Sequence, residues 1–193
     1  DTITVEKQFG YKGSGYKETP DCQIEKVAFA DGTVWNLEEI HTRAHSMSGT
    51  DKSDFYHALD DKPFTYHGLA GSDSLVGGGA NDLLYGDAGD DYLRGLNGND
   101  TLVGGQGNDR LEGGEGDDTY IFNKGDGVDV ISETKGVDTI QFGEGITPDD
   151  VVARVVTAKS SSDYVSLELS VKGTNDTITV EKQFGYKGSG YKE

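Results

Sequence analysis

Through the middle of this chain, one apolar place recurs without a gap at an interval of nine. Leu75, Leu84, Leu93, Leu102, Leu111 and Tyr120 hold the eighth place of six successive blocks from Gly68 to Ile121: GLAGSDSLV, GGGANDLLY, GDAGDDYLR, GLNGNDTLV, GGQGNDRLE and GGEGDDTYI. A helix period of 3.6 does not produce that interval, nor does the unbroken alternation of a long strand. Every block has Gly first and Asp sixth, and five of the six have Gly fourth, Ala80 being the exception. Gly at the first and fourth places, among Asn, Asp and Ala, permits the positive-φ turns that bulkier residues resist, so six residues make a turn. The last three, as in Ser74-Leu75-Val76, make a short strand whose middle side chain points one way and whose neighbours point the other. Repeated turns stack their strands in parallel, two blocks per coil. The predicted architecture is all-β: two thin sheets with a ladder of leucines between them.

Outside the blocks the pattern becomes alternation. Thr2-Ile3-Thr4-Val5 alternates, residues 10–17 read as a Gly/Tyr/Lys surface loop, and residues 24–29 and 33–35 read as strands around a turn at Asp31-Gly32. Asn36 is read as the cap of a short helix running to His45. Residues 46–67 form a polar lead-in, in which GTDKSDFYH (49–57) is a decayed block with Asp54 in sixth place. This stretch is expected to cap the ladder and cover its first coil. After the blocks, residues 122–131 keep acidic turns and lose the ninefold period. A strand is expected at 138–142, a helical turn at Thr147-Pro148-Asp149-Asp150, and strands at 151–156, 165–171 and 175–184. The chain therefore divides into a β-rich flank (1–48), a degenerate repeat or cap (49–67), the block array (68–121) and a β-rich extension (122–193). Residues 1–18 recur unchanged at 176–193; this reads as a long tandem unit cut so that the chain holds one unit and a remnant, in preference to an engineered duplication. The two flanks read as halves of one sheet formed within the same chain.

Charge sharpens this picture. The net charge is −18, and half of it lies in the blocks, which hold nine Asp and two Glu against Arg94 and Arg110. Such a surface repels phosphate backbones, so nucleic acid is not an expected partner. With stacked strands about 4.8 Å apart, two sixth-place carboxylates would repel by roughly 1 kcal/mol in water and about 3.5 kcal/mol at an effective dielectric of 20. A cation between them reverses the sign. Calcium takes about six to eight oxygens at roughly 2.3–2.6 Å from carboxylates and backbone carbonyls, which paired Gly-rich turns can offer. Zinc prefers Cys and His, and the blocks contain neither. Because one buried side chain per block is little return for ordering glycine-dense backbone, the calcium-free array should be unfolded and calcium binding should be folding. The single cysteine, Cys22, leaves no intrachain disulfide. No apolar run approaches the roughly 18 residues of a membrane span. Residues 1–20 lack a signal-peptide core, so export would need a signal elsewhere.

The blocks and their flanks resemble the RTX, or haemolysin-type calcium-binding, exoproteins of Gram-negative bacteria. The flank phrases that carry the likeness are YIFNKGDGVDVI, DTIQFGEGITPDDV, NDTITVEKQF and IEKVAFADGTVW. The resemblance implies a parallel β-roll with Ca2+ held between alternate turns, pairing Asp73 with Asp91, Asp82 with Asp100, Asp91 with Asp109, and Asp100 with Asp118. It further implies carbonyl ligands from the second place (Leu69, Gly78) and fourth place (Gly71, Ala80, Gly89, Gly98, Gly107, Gly116) of an earlier turn. The later turn would supply those of its first place (Gly86, Gly95, Gly104, Gly113) and third place (Ala88, Asn97, Gln106, Glu115). Asp126 and Asp129 would complete the last sites, with Gly107 and Asp109 or with Gly116 and Asp118. Leu69, Asp87 and Leu96 at the second place are expected to be tolerated, and Ala80 to leave its site strained but present. The implied role is export by type I secretion machinery: the segment stays unfolded in a calcium-poor cytosol and folds outside, as part of a large secreted, toxin-like exoprotein.

Catalytic chemistry is not expected. His41 and His45 stand four apart without an evident third ligand, and His57 and His67 read as packing or hydrogen-bonding residues. Ser46, Ser48 and Ser72 lie in loops, with no G-x-S-x-G elbow. Pro follows Thr19, Lys62 and Thr147, so no Asp-Pro self-cleavage bond is present. Asp90-Asp91, Asp117-Asp118 and Asp149-Asp150 suit cation binding or a helix start better than acid/base work. Two other readings are an adhesin module that holds a host-surface glycan or protein through Trp35 and the flank tyrosines, and the non-catalytic tail of a secreted hydrolase. Neighbouring tandem modules are further candidate partners.

Overall fold

Two small hairpins come first. The structure, a computed structural model, describes residues 9–12, 15–18, 26–36, 46–58, 62–157 and 165–184. Strand β1 (Phe9–Lys12) pairs antiparallel with β2 (Gly15–Glu18), so the stretch read as a loop is a hairpin. Strand β3 (Lys26–Ala28) pairs antiparallel with β4 (Val34–Asn36). The turn between them is closed by Gly32 N–H donating to the Phe29 carbonyl at 3.0 Å and by Asp31 Oδ1 accepting from Thr33 N–H at 2.9 Å. Trp35 packs edge-on against Phe29, with ring centroids 4.6 Å apart. Asn36 ends β4. The expected strand at 2–5, the helix expected at 37–45 with His41 and His45, and Cys22 lie outside the described residues.

The roll follows. Its strands are β5 (Ser46–Ser48), β6 (Phe55–His57), β7 (Thr65–His67), β8 (Ser74–Val76), β9 (Leu83–Ala88), β10 (Tyr92–Asn97), β11 (Thr101–Gln106), β12 (Arg110–Glu115), β13 (Thr119–Phe122), β14 (Val128–Ile131) and β15 (Thr139–Phe142). Odd and even strands separate into two parallel sheets, β15-β13-β11-β9-β7-β5 and β14-β12-β10-β8-β6. Within the blocks the register is two blocks: Thr101 pairs with Leu83 and Tyr92 with Ser74. Beyond the last block it lengthens by two residues, so Thr119 pairs with Thr139 and Arg110 with Val130. The loss of the ninefold period at 122–131 therefore enlarges a turn without ending the stack.

The ladder also starts earlier than the blocks do. The segment read as a cap supplies β5, β6 and β7, which pair in parallel with β7, β8 and β9. At the other end β16 (Val151–Thr157), β17 (Val165–Val171) and β18 (Thr177–Phe184) extend the even sheet, β16 and β17 antiparallel and β18 parallel to β14. A 3-10 turn at Pro148–Asp150 precedes them, with a capping box between Thr147 and Asp150. Because β18 occupies the edge of β14, the extension closes its own sheet. Among the described residues, β1 to β4 join neither sheet, whereas β5, at the end of the 1–48 flank, lies in the same sheet as β15 of the extension.

Between the sheets runs one column of side chains. Leu75, Leu84, Leu93 and Leu102 are fully buried, and Leu111 and Tyr120 nearly so. Phe122, Ile131, Ile178 and Val180 continue the column below, and Phe64 and Tyr66 continue it above, where Tyr56 stacks on both rings.

Candidate metal centre

The sixth-place aspartates Asp73, Asp82, Asp91, Asp100, Asp109 and Asp118 are all buried, none more than 3% exposed. Strand register places each one two blocks from the next, and backbone bonds fix them there. Asp73 N–H donates to Asp91 Oδ1, Asp82 to Asp100, Asp91 to Asp109 and Asp100 to Asp118, each at 2.8 Å. The paired aspartates of the sequence reading are thus neighbours, joined through one oxygen. The second oxygen is different. Oδ2 of Asp73, Asp91, Asp100, Asp109 and Asp118 is buried and has no hydrogen-bond partner. A buried carboxylate oxygen without a donor is costly, because it has given up water for nothing.

Each orphaned oxygen faces the first-place glycine of its own block. A Cβ built on Gly68, Gly86, Gly95, Gly104 or Gly113 would collide with Oδ2 of Asp73, Asp91, Asp100, Asp109 or Asp118 respectively. In three of these cradles the first-place carbonyl of the next turn but one converges on the same point: Gly86 O beside Gly68 at 2.6 Å, Gly113 O beside Gly95 at 2.8 Å, and Gly104 O beside Gly86. The residues fit a small hard cation: oxygen donors only, negative charge in excess, and a space that a methyl group would fill.

The glycines serve two purposes that sequence reading merged into one. First-place glycines take no left-handed φ, and their missing Cβ provides room. Fourth-place glycines provide conformation: Gly71, Gly89, Gly98, Gly107 and Gly116 have φ between 115° and 149°. The second place needs positive φ as well, and three non-glycines adopt it, Leu69 at 77°, Asp87 at 70° and Leu96 at 85°. Side chains disfavour that region, so these departures from glycine are strained positions. Ala80 reshapes its turn more deeply. Neither Ala80 nor Gly78 takes positive φ, and Gly78 N–H donates to Asp82 Oδ2 at 2.7 Å. That oxygen, orphaned in the neighbouring blocks, has a donor here.

The carbonyls of the expected ligand set lie around the same turns. Those of the third place accept one ladder bond each: Ala88 from Gly71 N–H, Gln106 from Gly89 and Glu115 from Gly98. The second-place carbonyls of Leu69 and Gly78 accept from Ala88 and Asn97. Each keeps a second lone pair.

Burial, reinforced by neighbouring carboxylates, pushes these acids up. Asp91 rises to about 6, Asp100 and Asp109 to about 7, and Asp129 to about 8, against the opposing effect of the backbone N–H each accepts. Asp73, Asp118 and Asp126 are raised for the same first reason. Groups that resist ionisation so strongly are short of a positive neighbour.

At the ends of the array the register decides which acids meet. Asp129 Oδ1 accepts from Asp109 N–H at 3.0 Å, and Asp138 Oδ1 accepts from Asp118 N–H at 3.1 Å. Of the two placements the sequence left open, Asp129 therefore lies under Asp109, whereas Asp138, which sequence reasoning missed, lies under Asp118. Asp126 is buried nearby, its Oδ2 accepting from Asn123 N–H and its carbonyl from Gly107 N–H. Asp176, also missed, is buried and accepts from Gly125 N–H at 2.8 Å. Glu133 was missed too: burial and the Asp138 charge raise it to about 7. The two-residue lengthening of register could have revealed Asp138, since it stands 20 residues after Asp118 as Asp129 does after Asp109. Upstream, the decayed block does build a cradle: a Gly49 Cβ would lie 2.7 Å from Asp54 Oδ2 and 2.6 Å from Gly68 O. Away from the turns, His67 stacks on Tyr85 at 4.2 Å and bonds Asp87 at 3.1 Å, a packing role.

Comparison with known families matches residues 67–102 and 94–129 to the RTX calcium-binding nonapeptide repeat (4 copies). Residues 1–39 match the haemolysin-type calcium binding protein related domain. No curated protein matches the chain as a relative. The repeat match falls on the residues that form the coil, its buried aspartates and its glycine cradles: residues 67–129 are similar to the RTX calcium-binding nonapeptide repeat array.

Proposed function

We propose that this chain is a calcium-folded segment of an exported exoprotein, without enzymatic activity of its own, whose roll forms when it meets extracellular calcium. The observation that carries this reading is the match of five orphaned carboxylate oxygens to five first-place glycine cradles. Bound there, Ca2+ supplies the positive charge those oxygens lack. The aspartates otherwise repel one another across adjacent strands, and only one apolar column opposes the entropy of a glycine-rich chain. At cytosolic calcium the segment would stay expanded, a state suited to passage through a type I secretion channel. Extracellular modules bind calcium at about 10⁻⁴–10⁻³ M, the range in which such a switch would act. Folding on the far side would oppose return. The proposed setting is a secreted, toxin-like protein with further modules. The test is far-UV circular dichroism of the chain titrated with calcium and, separately, magnesium. A β-sheet signal and melting transition that need calcium are expected, and a spectrum and melting point untouched by chelator would refute the reading.

A further inference from the structure

The repeat's way of lining its cradles stops at the last block, where other groups take over. Beside Gly68 and Gly95 the second oxygen is a backbone carbonyl; beside Gly113 it is a side chain, with Glu133 Oε1 lying 2.6 Å from where a Gly113 Cβ would stand. Asp118 Oδ2 points into the same space, 99% buried by residue and without a hydrogen-bond partner. Asp138 stands below, and oxygens of Asp118, Glu133 and Asp138 all lie within 4.8 Å of one another. Tyr120 positions the glutamate: its Oη accepts from Gly113 N–H at 2.7 Å and donates to Glu133 Oε1. A cavity of about 310 Å³ opens beside the group, lined in part by Tyr120, Glu133, Gly136 and Asp138, which gives an ion and its remaining waters a route in.

We propose that Asp118, Glu133 and Asp138 form a divalent-cation site at the end of the roll, with calcium as its ion and three carboxylates where the repeat offers aspartate and backbone carbonyl. The orphaned Asp118 oxygen sets this apart from a chance gathering of surface acids. It is a buried oxygen that no donor satisfies, and Glu133 and Asp138 are the groups arranged around it. Affinity for calcium grows with the ligand charge gathered at a site, so this position should fill at lower calcium than the repeat cradles. The proposal rests on the roll being a calcium binder, but two of its ligands, Glu133 and Asp138, lie outside the repeat and can be replaced separately.

The experiment is equilibrium dialysis of the full chain with radioactive calcium, comparing wild type with Glu133→Gln and Asp138→Asn. Asp138 is exposed, and Asn at that position keeps an oxygen for the Asp118 N–H, so this variant is expected to fold even if the glutamate variant does not. Each variant should bind one ion fewer than wild type, or hold its tightest ion about tenfold more weakly, with the other ions unchanged. Terbium luminescence excited through tyrosine should fall in Glu133→Gln and recover in part in Glu133→Asp. If Asp138→Asn and Glu133→Gln bind the wild-type number of ions at wild-type half-saturation, the site is refuted while the repeat's role stands. A wild-type chain that binds no calcium at all would overturn both.

Discussion

Replacing Gly95 with alanine tests whether the glycine cradle is the cation position. The new methyl would stand 2.8 Å from the Gly113 carbonyl oxygen and closer still to Asp100 Oδ2, so it would occupy the space in which those two oxygens converge. Gly95 takes no left-handed φ, so the backbone accepts alanine and the effect is one of volume. At calcium about 100-fold above its dissociation constant, losing one site removes about 2.7 kcal/mol of stability. The substitution returns roughly 0.4–1 kcal/mol by restricting the unfolded chain. The net loss is about 2 kcal/mol, or roughly 1 M in the urea midpoint for a slope near 2 kcal/mol per M. The assay is the number of calcium ions bound together with urea unfolding at saturating calcium, with circular dichroism in chelator expected to show the roll absent from both chains. Asn97→Ala is the control, because Asn97 is exposed and alanine keeps its carbonyl. An unchanged ion count and an unchanged midpoint in Gly95→Ala would show that the cation does not sit where the orphaned oxygens point.

Three further outcomes are expected. Since burial holds Asp91, Asp100, Asp109 and Asp129 up at about 6, 7, 7 and 8, the calcium-free fold keeps protons that the unfolded chain releases above its ordinary value near 3.9. The stability this confers is present below that value and lost as pH rises toward 8. Chelated chain should therefore show more β signal at pH 5 than at pH 8, and identical spectra would refute the electrostatic account. Protons and calcium compete for the same oxygens, so the calcium needed for half-folding should fall over the same rise in pH. Leu69→Gly relieves a residue held at φ 77° and 40% exposed; a gain of about 0.5–1 kcal/mol in calcium is expected from urea unfolding. Tyr120→Phe leaves Gly113 N–H and Glu133 without the hydroxyl between them and should cost about 1–3 kcal/mol, measured in the same way, whereas an unchanged midpoint would mean that the hydroxyl is not needed.

By itself the sequence determined the coil. A glycine-turn-aspartate unit with one apolar place that recurs in every nine can bury that residue only by stacking on copies of itself, so the two sheets, the leucine column and the burial of the sixth-place aspartates follow from local pattern. It also determined oxygen chemistry over nitrogen or sulfur, because no other donors lie in the blocks. What the tertiary structure decided is everything that depends on register between non-identical turns. Ser46–Ser48 and Phe55–His57 became rungs because backbone pairing tolerates an extra residue in a turn, even where the motif has decayed. The lengthened register below Asp118 brought Asp138 and Glu133 beneath it in place of Asp126. Only the packed coil separates the two uses of glycine, since a missing Cβ matters at Gly95 through atoms 18 residues away, at Gly113, and at Gly98 through its own φ. Pattern reports what a residue can do next to its neighbours in sequence; which oxygens converge on one point is set by chain segments that meet only after the coil has closed.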